Sequence, residues 1–586
     1  MSRMWISSVG SKEALIEAFK TRKSGKLYDN LYDAALSRSY ADYFVGLTAT
    51  EAMSLKFGGG NILNVGRVKT PTLRIIVDLE KQISDFKPTL FWKLTAKTKQ
   101  NIDGNYYNQY LDDNRFYDKK EAEDVIKKIG IGPAKVTDVI IKKRKDSPKP
   151  LYNLSDLQIA MNRQYGFSAN TVLEICQSLY EKHGLTTYPR TAENKISQSL
   201  ANRQRDIING LPSIFKTAKD EIVSERYVLN NKVVASSSDI GAHEALTPVP
   251  ENISDDKINN LSDAELKVYV AIVERFLQNF YPDAVFESQE ITFERNGEVF
   301  KNKVENLVYL GYYKVDSTFK SKEMQEFVKL RKDDYLDIKE VCLNEGQTLP
   351  PSRLTEGTLI KVMQNPKKYY NGSLEDKKIL EETEGLGTEA TRAGIIEELK
   401  KGGYIKVEKS KIYPTEKGIN LIDIIPVENL KSVDLTVYFE KELSKIAKGN
   451  LDKGHFIDEI NALNQKVVDE IKGKRGVEKT YQNSDSKKKV NELCKCPICS
   501  NSIVESKYGY YCLNKDCHVS VNFNSFERFG HKSVSKKEAK ELLVLGITSR
   551  AVKLKSAKSG KEYEAFLTWQ YDASNKYPNN CYIKFK

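Results

Sequence analysis

Residues 183–193 read HGLTTYPRTAE, and two of their side chains could act together on a phosphate ester: the phenol of Tyr188 and the guanidinium of Arg190. A proline disfavours the α region for the residue before it, so Pro189 predicts an extended Tyr188. In extended backbone, side chains two apart point the same way, which gives Tyr188 and Arg190 one face. A hydroxyl nucleophile beside a fixed positive charge suits attack on a phosphodiester. The same spacing also fits a half-buried tyrosine next to a solvated arginine, and residue types alone leave both open.

A second group of chemically able residues lies near the other end, in CKCPICSNSIVESKYGYYCLNKDCH. Of the 8 cysteines, five fall between 494 and 517. Cys496-x₂-Cys499 and Cys512-x₄-Cys517 have zinc-ribbon spacing, with four thiolates for a closed tetrahedral Zn²⁺ site. Cys494 and His518 are rivals for one ligand position. The start, MSRMWISSVGSKEAL, lacks the apolar core of a secretory signal, which favours metal over disulfides. Cys176, Cys342 and Cys581 are dispersed and read as structural.

Elements must position these groups. Val172, Ile175, Cys176 and Leu179 recur at the i, i+3, i+4, i+7 spacing of an amphipathic helix, and Gly184 is a natural stop for it. Upstream, Ser155 and Gln158 have capping-box spacing before Leu157, Met161 and Tyr165. Residues 1–85 read as helical up to a glycine-rich break, FGGGNILNVGRVKTPTL. Residues 90–145 are rich in β-branched and aromatic types and predict strands, as do 287–315. Residues 388–414 read as a helix capped by Thr388, a stop at Gly402-Gly403, and a hairpin, an order that fits a winged helix.

The 586 residues allow three to five domains. A net charge of +12 and 32 tyrosines lean towards a polyanionic, base-bearing partner, since aromatics beside basic residues can stack bases. Apolar runs stay short of the roughly 18 residues of a membrane helix, so no membrane partner and a cytoplasmic location are expected.

LYEKHGLTTYPRTAE resembles the active-site motif of type IA DNA topoisomerases, whose usual form is G-L-I-T-Y-P-R-T-D-S. Further matches follow in family order. NVGRVKTPTLRIIV (64–77) is similar to S-V-G-R-V-Q-T-P-T-L, and GAHEALTP (241–248) to A-H-x-A-[IL]-x-P. QTLPPSRLTEGTLIKVM, EETEGLGTEATRAGIIEELKKGGYI and YPTEKG resemble three more segments. The likeness runs to about residue 475 and is strongest to the topoisomerase III branch.

That resemblance implies an α+β multidomain fold, a toroidal gate with helical, winged-helix-like units and a strand-rich arch. Its expected parts are a helical gate domain at 1–88 and again, winged-helix-like, at 344–477, and the arch at 89–147 and 284–343. The helical domain with the tyrosine spans 148–283, followed by a linker at 478–493, the zinc ribbon at 494–525 and a small tail module at 526–586. It further implies an isomerase that needs no ATP: Tyr188 forms a transient 5′-phosphotyrosine in single-stranded DNA, a strand passes, and the break reseals. Arg190 would stabilise phosphate charge and His243 would hydrogen-bond the same phosphate. Glu181, Thr187, Arg38, Arg67, Lys69, Arg353 and Arg392 fall where the family contacts DNA.

This sequence departs from the family in three places. Lys69 replaces a glutamine, and Ala192-Glu193 replaces Asp-Ser after the tyrosine motif. The Toprim motifs E-K-P-S and D-x-D-R-E-G-E, which supply a general acid and the Mg²⁺ ligands, do not occur, and SRMWISSVGSKEALIEAF resembles the stretch just beyond them. Mg²⁺ is therefore a family requirement without its ligands here. Two readings follow: a topoisomerase acting on single-stranded and underwound DNA in the nucleoid, paired with a separately encoded Toprim segment, or a remnant that grips single strands without cycling.

Overall fold

In the computed structural model, the described residues are 2–4, 16, 18–235, 243–249, 253–370, 373, 377–378, 385–474, 492–514, 516–556, 559–575 and 577–585. The chain divides into two compact units, 1–481 and 482–586. No helix among the described residues is long and apolar enough to cross a membrane.

The first unit holds three cores. One gathers helices distant in sequence: α1 (Asp29–Phe57), α2 (Lys69–Ser84), and, from beyond residue 350, a group of helices ending at residue 473. Along α1 the inward row includes Ala41, Val45, Ala49 and Met53, four residues apart and all buried, as helical periodicity requires. The stretch before it is not all helix, as was expected of 1–85: Ser2–Arg3 pairs antiparallel with Lys23–Ser24.

The second core is a barrel. Strands β1 (Leu90–Thr98), β2 (Gly104–Tyr107), β3 (Gly132–Asp146), β4 (Ala284–Arg295), β5 (Glu298–Tyr309) and β6 (Tyr335–Gln347) close in the order β1-β2-β5-β4-β3-β6. Helix α3 (Lys119–Ile129), capped by Asp118, precedes β3. Alternate residues point inward, so Trp92, Leu94 and Ala96 from β1 share a core with Phe293, Phe300 and Ile338. Gly104 lies against the Phe293 ring, where a Cβ would stand 2.4 Å from Cζ. Phe293 and Phe300, opposite each other in the β4–β5 register, stack at 5.5 Å.

The chain enters this barrel twice, and residues 147–283 lie between the two visits. They form the third core, with α4 (Leu154–Tyr165), α5 (Ala169–Glu181), α6 (Asp263–Gln278) and shorter helices between α5 and α6. Val172, Ile175, Cys176 and Leu179 are all buried on α5, as their spacing predicts. The cap of α4 differs from the expected Ser155. Asn153 accepts the Asp156 N–H, while Ser155 is drawn into a buried carboxylate contact instead.

After β6 the chain returns to the first core through α7 (Glu356–Gln364) and α8 (Arg392–Lys401). The hairpin β7 (Ile405–Glu408) and β8 (Lys411–Pro414) follows, then α9 (Glu416–Ile424). Thr391, not Thr388, is the N-terminal boundary residue of α8, and the Thr388 carbonyl accepts from the Thr391 and Arg392 N–H groups. Gly402 ends α8, and Lys409 and Ser410 both take positive φ in the two-residue turn of the hairpin. Helices α10 (Asp434–Ala447) and α11 (Lys453–Gly473) pack on α1. The linker expected at 478–493 lies outside the described residues except for its last two positions.

The second unit has a four-stranded meander of β9 (Glu492–Lys495), β10 (Ser502–Glu505), β11 (Gly509–Cys512) and β12 (Ser520–Asn522). Helix α12 (Lys536–Leu545) and a three-stranded sheet of β13 (Val552–Lys555), β14 (Glu562–Tyr571) and β15 (Asn579–Lys584) complete it around Phe526, Leu542 and Leu567.

One barrel feature invites a test. The Gln289 side-chain amide donates to the Val328 carbonyl at 2.8 Å and accepts from its N–H at 2.9 Å. Asn306 does the same with Gln325, at 2.7 and 2.9 Å. Two side chains thus imitate a neighbouring strand and hold an extended strap. Gln289→Leu would leave part-buried backbone groups unpaired, a loss of about 1–3 kcal/mol. Tryptic cleavage at Lys322 and Lys329 is expected to accelerate while the barrel core stays protected, read by mass spectrometry of limited digests.

Candidate active site

Tyr188 sits between two fastened flanks. Gly184, at φ 64, turns the chain after α5, and the Leu185 N–H bonds back to the Leu179 carbonyl at 2.8 Å. The segment 185–187 then pairs with 245–249. Thr186 bridges Pro248, the Thr187 N–H reaches the Thr247 carbonyl at 3.1 Å, and the Val249 N–H reaches the Leu185 carbonyl at 3.0 Å. The buried Thr187 hydroxyl donates to the Ala245 carbonyl at 2.8 Å and accepts from the Thr247 N–H at 3.1 Å. Downstream, the Leu154 N–H at the start of α4 donates to the Thr191 carbonyl at 3.1 Å.

Between those anchors Tyr188 is half-buried and Arg190 is exposed. The Tyr188 ring lies against His243 with centroids 4.5 Å apart and meets Tyr180 edge-on at 5.6 Å. Among the described residues, neither the Tyr188 hydroxyl nor the Arg190 guanidinium has a hydrogen-bond or ion-pair partner. The site therefore offers a hydroxyl, an imidazole and a guanidinium on one short loop and its paired segment. Burial holds the His243 imidazole below its ordinary value, and the Glu193 carboxylate pulls the other way.

The residues expected on DNA have the following surroundings. Glu181 is exposed at the end of α5 and accepts from Gln177. Thr187 is buried, its side chain consumed in holding the loop. Arg38 forms a bidentate pair with Glu440 at 2.6 and 2.5 Å. Arg67 is buried over the Phe439 ring, bonded to Asp42 at 2.6 Å and to Glu440 at 3.4 Å. These two arginines converge on Glu440. Lys69 pairs with Glu398 at 2.5 Å, and Arg353 grips Glu80 at 2.8 and 2.7 Å. Arg392 is only 1% exposed and donates to Glu389 at 2.6 Å and to the Ser155 hydroxyl at 3.0 Å. Arg67, Arg392 and Thr187 are thus buried, with side chains bonded within the fold. Sequence reasoning missed their partners. Glu389 lies inside one of the family-like motifs, whereas Asp42, Glu80 and Glu440 carry no signal that spacing could expose.

In the second unit, the ligand atoms of Cys496, Cys499, Cys512 and Cys517 all lie within 4.8 Å of one another. Two Sγ–Sγ distances are 3.6 and 3.3 Å, close to the roughly 3.8 Å edge of a tetrahedral Zn–thiolate site. Neither Cys494 nor His518 belongs to the group. Cys494 is buried within β9. The four thiols fit Zn²⁺, which would join the β9–β10 and β11–β12 turns. No second convergent group of His, Cys, Asp or Glu occurs among the described residues, so nothing among them matches a Mg²⁺ site.

Two outcomes are expected. Because burial favours neutral His243, its folded-state value lies below the unfolded value of about 6.5. Its contribution to stability is then present above that unfolded value and lost as pH falls through the lowered folded value. NMR titration should give a His243 midpoint under 6.5, and Glu193→Gln should lower it further, since the Glu193 charge raises it. For the cysteines, elemental analysis should find one zinc per chain. Cys512→Ser or a chelator should remove it and unfold the β9–β12 meander, read as lost amide protection there.

The sequence pattern of the family described as DNA topoisomerase matches residues 26–458. DNA topoisomerase 3 of Bacillus cereus (strain ATCC 14579) is 32% identical over 538 residues, covering 88% of this chain and 70% of that protein. DNA topoisomerase 3 of Bacillus licheniformis is 34% identical over 481 residues, covering 80% and 65%. The structure of full-length topoisomerase I from Thermotoga maritima shares the fold, with a TM-score of 0.61 at 22% identity over 96% of this chain and 82% of that one. The ordered motifs, the family match and the relatives agree, and the chain belongs to the type IA DNA topoisomerases, on their topoisomerase III-like side.

Proposed function

We propose that this chain cleaves and reseals single-stranded DNA through Tyr188. The observation that carries the reading is a hydroxyl without a partner among the described residues, on a loop anchored at both ends, with the His243 ring tilted against its own at 4.5 Å. The Tyr188 oxygen attacks a backbone phosphorus and displaces the 3′-oxygen. The phenol gives up its proton, the leaving oxygen gains one, and a 5′-phosphotyrosine and a 3′-hydroxyl result. Resealing is the reverse attack, so the bond energy is retained and no ATP is needed. Arg190, exposed two residues on, can follow the phosphate and offset charge on its non-bridging oxygens. His243, kept neutral by burial, can donate one ring N–H to the same phosphate.

Mg²⁺ and a general acid belong to the family's chemistry, but no described residues here fit the metal, so neither enters these steps. A second reading, strand binding without turnover, applies to residues 1–586 taken by themselves, which do not contain the E-K-P-S and D-x-D-R-E-G-E motifs.

Both readings require a grip on single strands, and charge supports it. Residues 482–586 contain 19 Lys and Arg against 10 Asp and Glu, so this unit carries +9 of the net +12. Tyr508, Tyr577 and Tyr582 are exposed on it, and the Lys507 ammonium lies over the Tyr508 ring. Exposed rings among cations suit base stacking along a phosphate backbone.

The test uses a labelled single-stranded oligonucleotide. Denaturant-resistant adduct is expected with the chain plus a Toprim segment bearing both motifs, and Tyr188→Phe should abolish it while strand binding persists. Residues 1–586 alone, given Mg²⁺, should not relax supercoiled DNA, because lost general acid–base help is typically worth about 10²–10⁴-fold. Binding should favour single strands over duplex and weaken as salt rises. Adduct formation by Tyr188→Phe, or equal duplex affinity, would sink the proposal.

A further inference from the structure

The start of α4 has an unusual guest. Glu389, on the approach to α8, is 6% exposed and accepts the Ser155 N–H at 2.8 Å and the Ser155 hydroxyl at 2.5 Å. Its other oxygen takes Arg392 at 2.6 Å, and Arg392 also reaches the Ser155 hydroxyl. Glu356, 5% exposed at the first turn of α7, repeats the arrangement one helix away. It accepts the Ala169 N–H that opens α5, at 2.9 Å, and pairs with Lys400 at 3.0 Å. Two buried carboxylates of the first core therefore cap the first turns of the two helices that carry the tyrosine loop.

A buried carboxylate of this kind is held by everything around it or by nothing. Drawing α4 away would leave Glu389 and Arg392 desolvated without the Ser155 donors, so the contact should make and break as one unit. The residue before Ser155 holds the loop: the Leu154 N–H is the donor to the Thr191 carbonyl, three residues past Tyr188. The upstream flank, 185–187, is fastened within its own core by 245–249. The downstream flank has own-core bonds too, from the Asn153 amide to the Ala192 carbonyl at 3.4 Å and from the Ala245 N–H to the Lys195 carbonyl at 2.8 Å, but its bond to Leu154 is the one that adjoins the contact with Glu389.

We propose that Glu389 is a positioning residue for the Tyr188 loop, setting it through Ser155 and Leu154 only while α7 and α8 pack on α4 and α5. The inference rests on Tyr188 as the nucleophile and adds a condition to it. The tyrosine is presented for cleavage or resealing when the two cores are in contact, and its downstream flank slackens when they part. An open break is thereby kept from attack until the cores meet again.

Amide hydrogen exchange of the full chain tests this without using the chemistry, so failure of the Tyr188 adduct stays a separate result. In Glu389→Ala, the Leu154, Ser155 and Glu193 amides should exchange at least about tenfold faster, since local opening sets their rates. The buried amides of α6 around Ile272 should be unchanged, and the Thr187 and Val249 amides of the upstream flank should hold. Glu389→Gln, which retains an acceptor for Ser155, should recover part of the protection and serves if the alanine variant fails to fold. Faster exchange at Ser155 alone, with Leu154 and Glu193 unmoved in either variant, would overturn the proposal. So would a uniform rise across α6, which would mark Glu389 as general scaffolding.

Discussion

An extended loop can hold out a reactive side chain only if its own backbone polar groups are satisfied elsewhere, since buried N–H and C=O groups left unpaired are costly. The pairing of residues 185–187 with 245–249 meets that constraint here. It fixes the backbone on one side of Tyr188 with main-chain bonds and the Thr187 hydroxyl, and it delivers His243 to the tyrosine ring as a by-product of the same register. That pairing lies wholly within the third core, whereas the contact with Glu389 and Arg392 reaches the start of α4, on the other side of Tyr188.

Much of this was legible from local pattern. Four apolar residues of α5 fall on its buried side because helical periodicity is a local property, and the cysteine pairs converge because each pair is closed by a tight turn. What was not legible depends on distant partners. Ser155 looked like a cap, but a carboxylate more than two hundred residues away claims it, and Asn153 caps the helix. The motif around Arg67 implied a place in the chain but not its neighbours, and no spacing rule could place Asp42, Glu440 and the Phe439 ring around it. The closed order of the barrel joins strands from both visits of the chain, a non-local outcome that strand propensity does not encode.

Charge is divided unevenly. The first unit is close to neutral; Arg353, Arg392 and Arg38 pair with Glu80, Glu389 and Glu440, while Arg190 is exposed. Such pairs tie together segments distant in sequence. The second unit carries most of the excess, on a small scaffold with a four-thiol cluster at its core. The excess charge and the Tyr188 loop therefore lie in different units.

The insertion between β3 and β4 also bears on how the chain is made. Asp146 and Ala284, where the chain leaves and re-enters the barrel, are partners in one register. Residues 147–283 therefore begin and end at neighbouring points, as an independently folding segment should. During synthesis, that segment is complete before β6 exists to close the barrel and before α7–α11 arrive to bury α1 and α2. The tyrosine-bearing core can thus be the first to mature on the ribosome, while α1, with its inward row from Ala41 to Met53, waits longest for its partners. An early helix with a late partner is where a chaperone would find its longest-lived apolar surface.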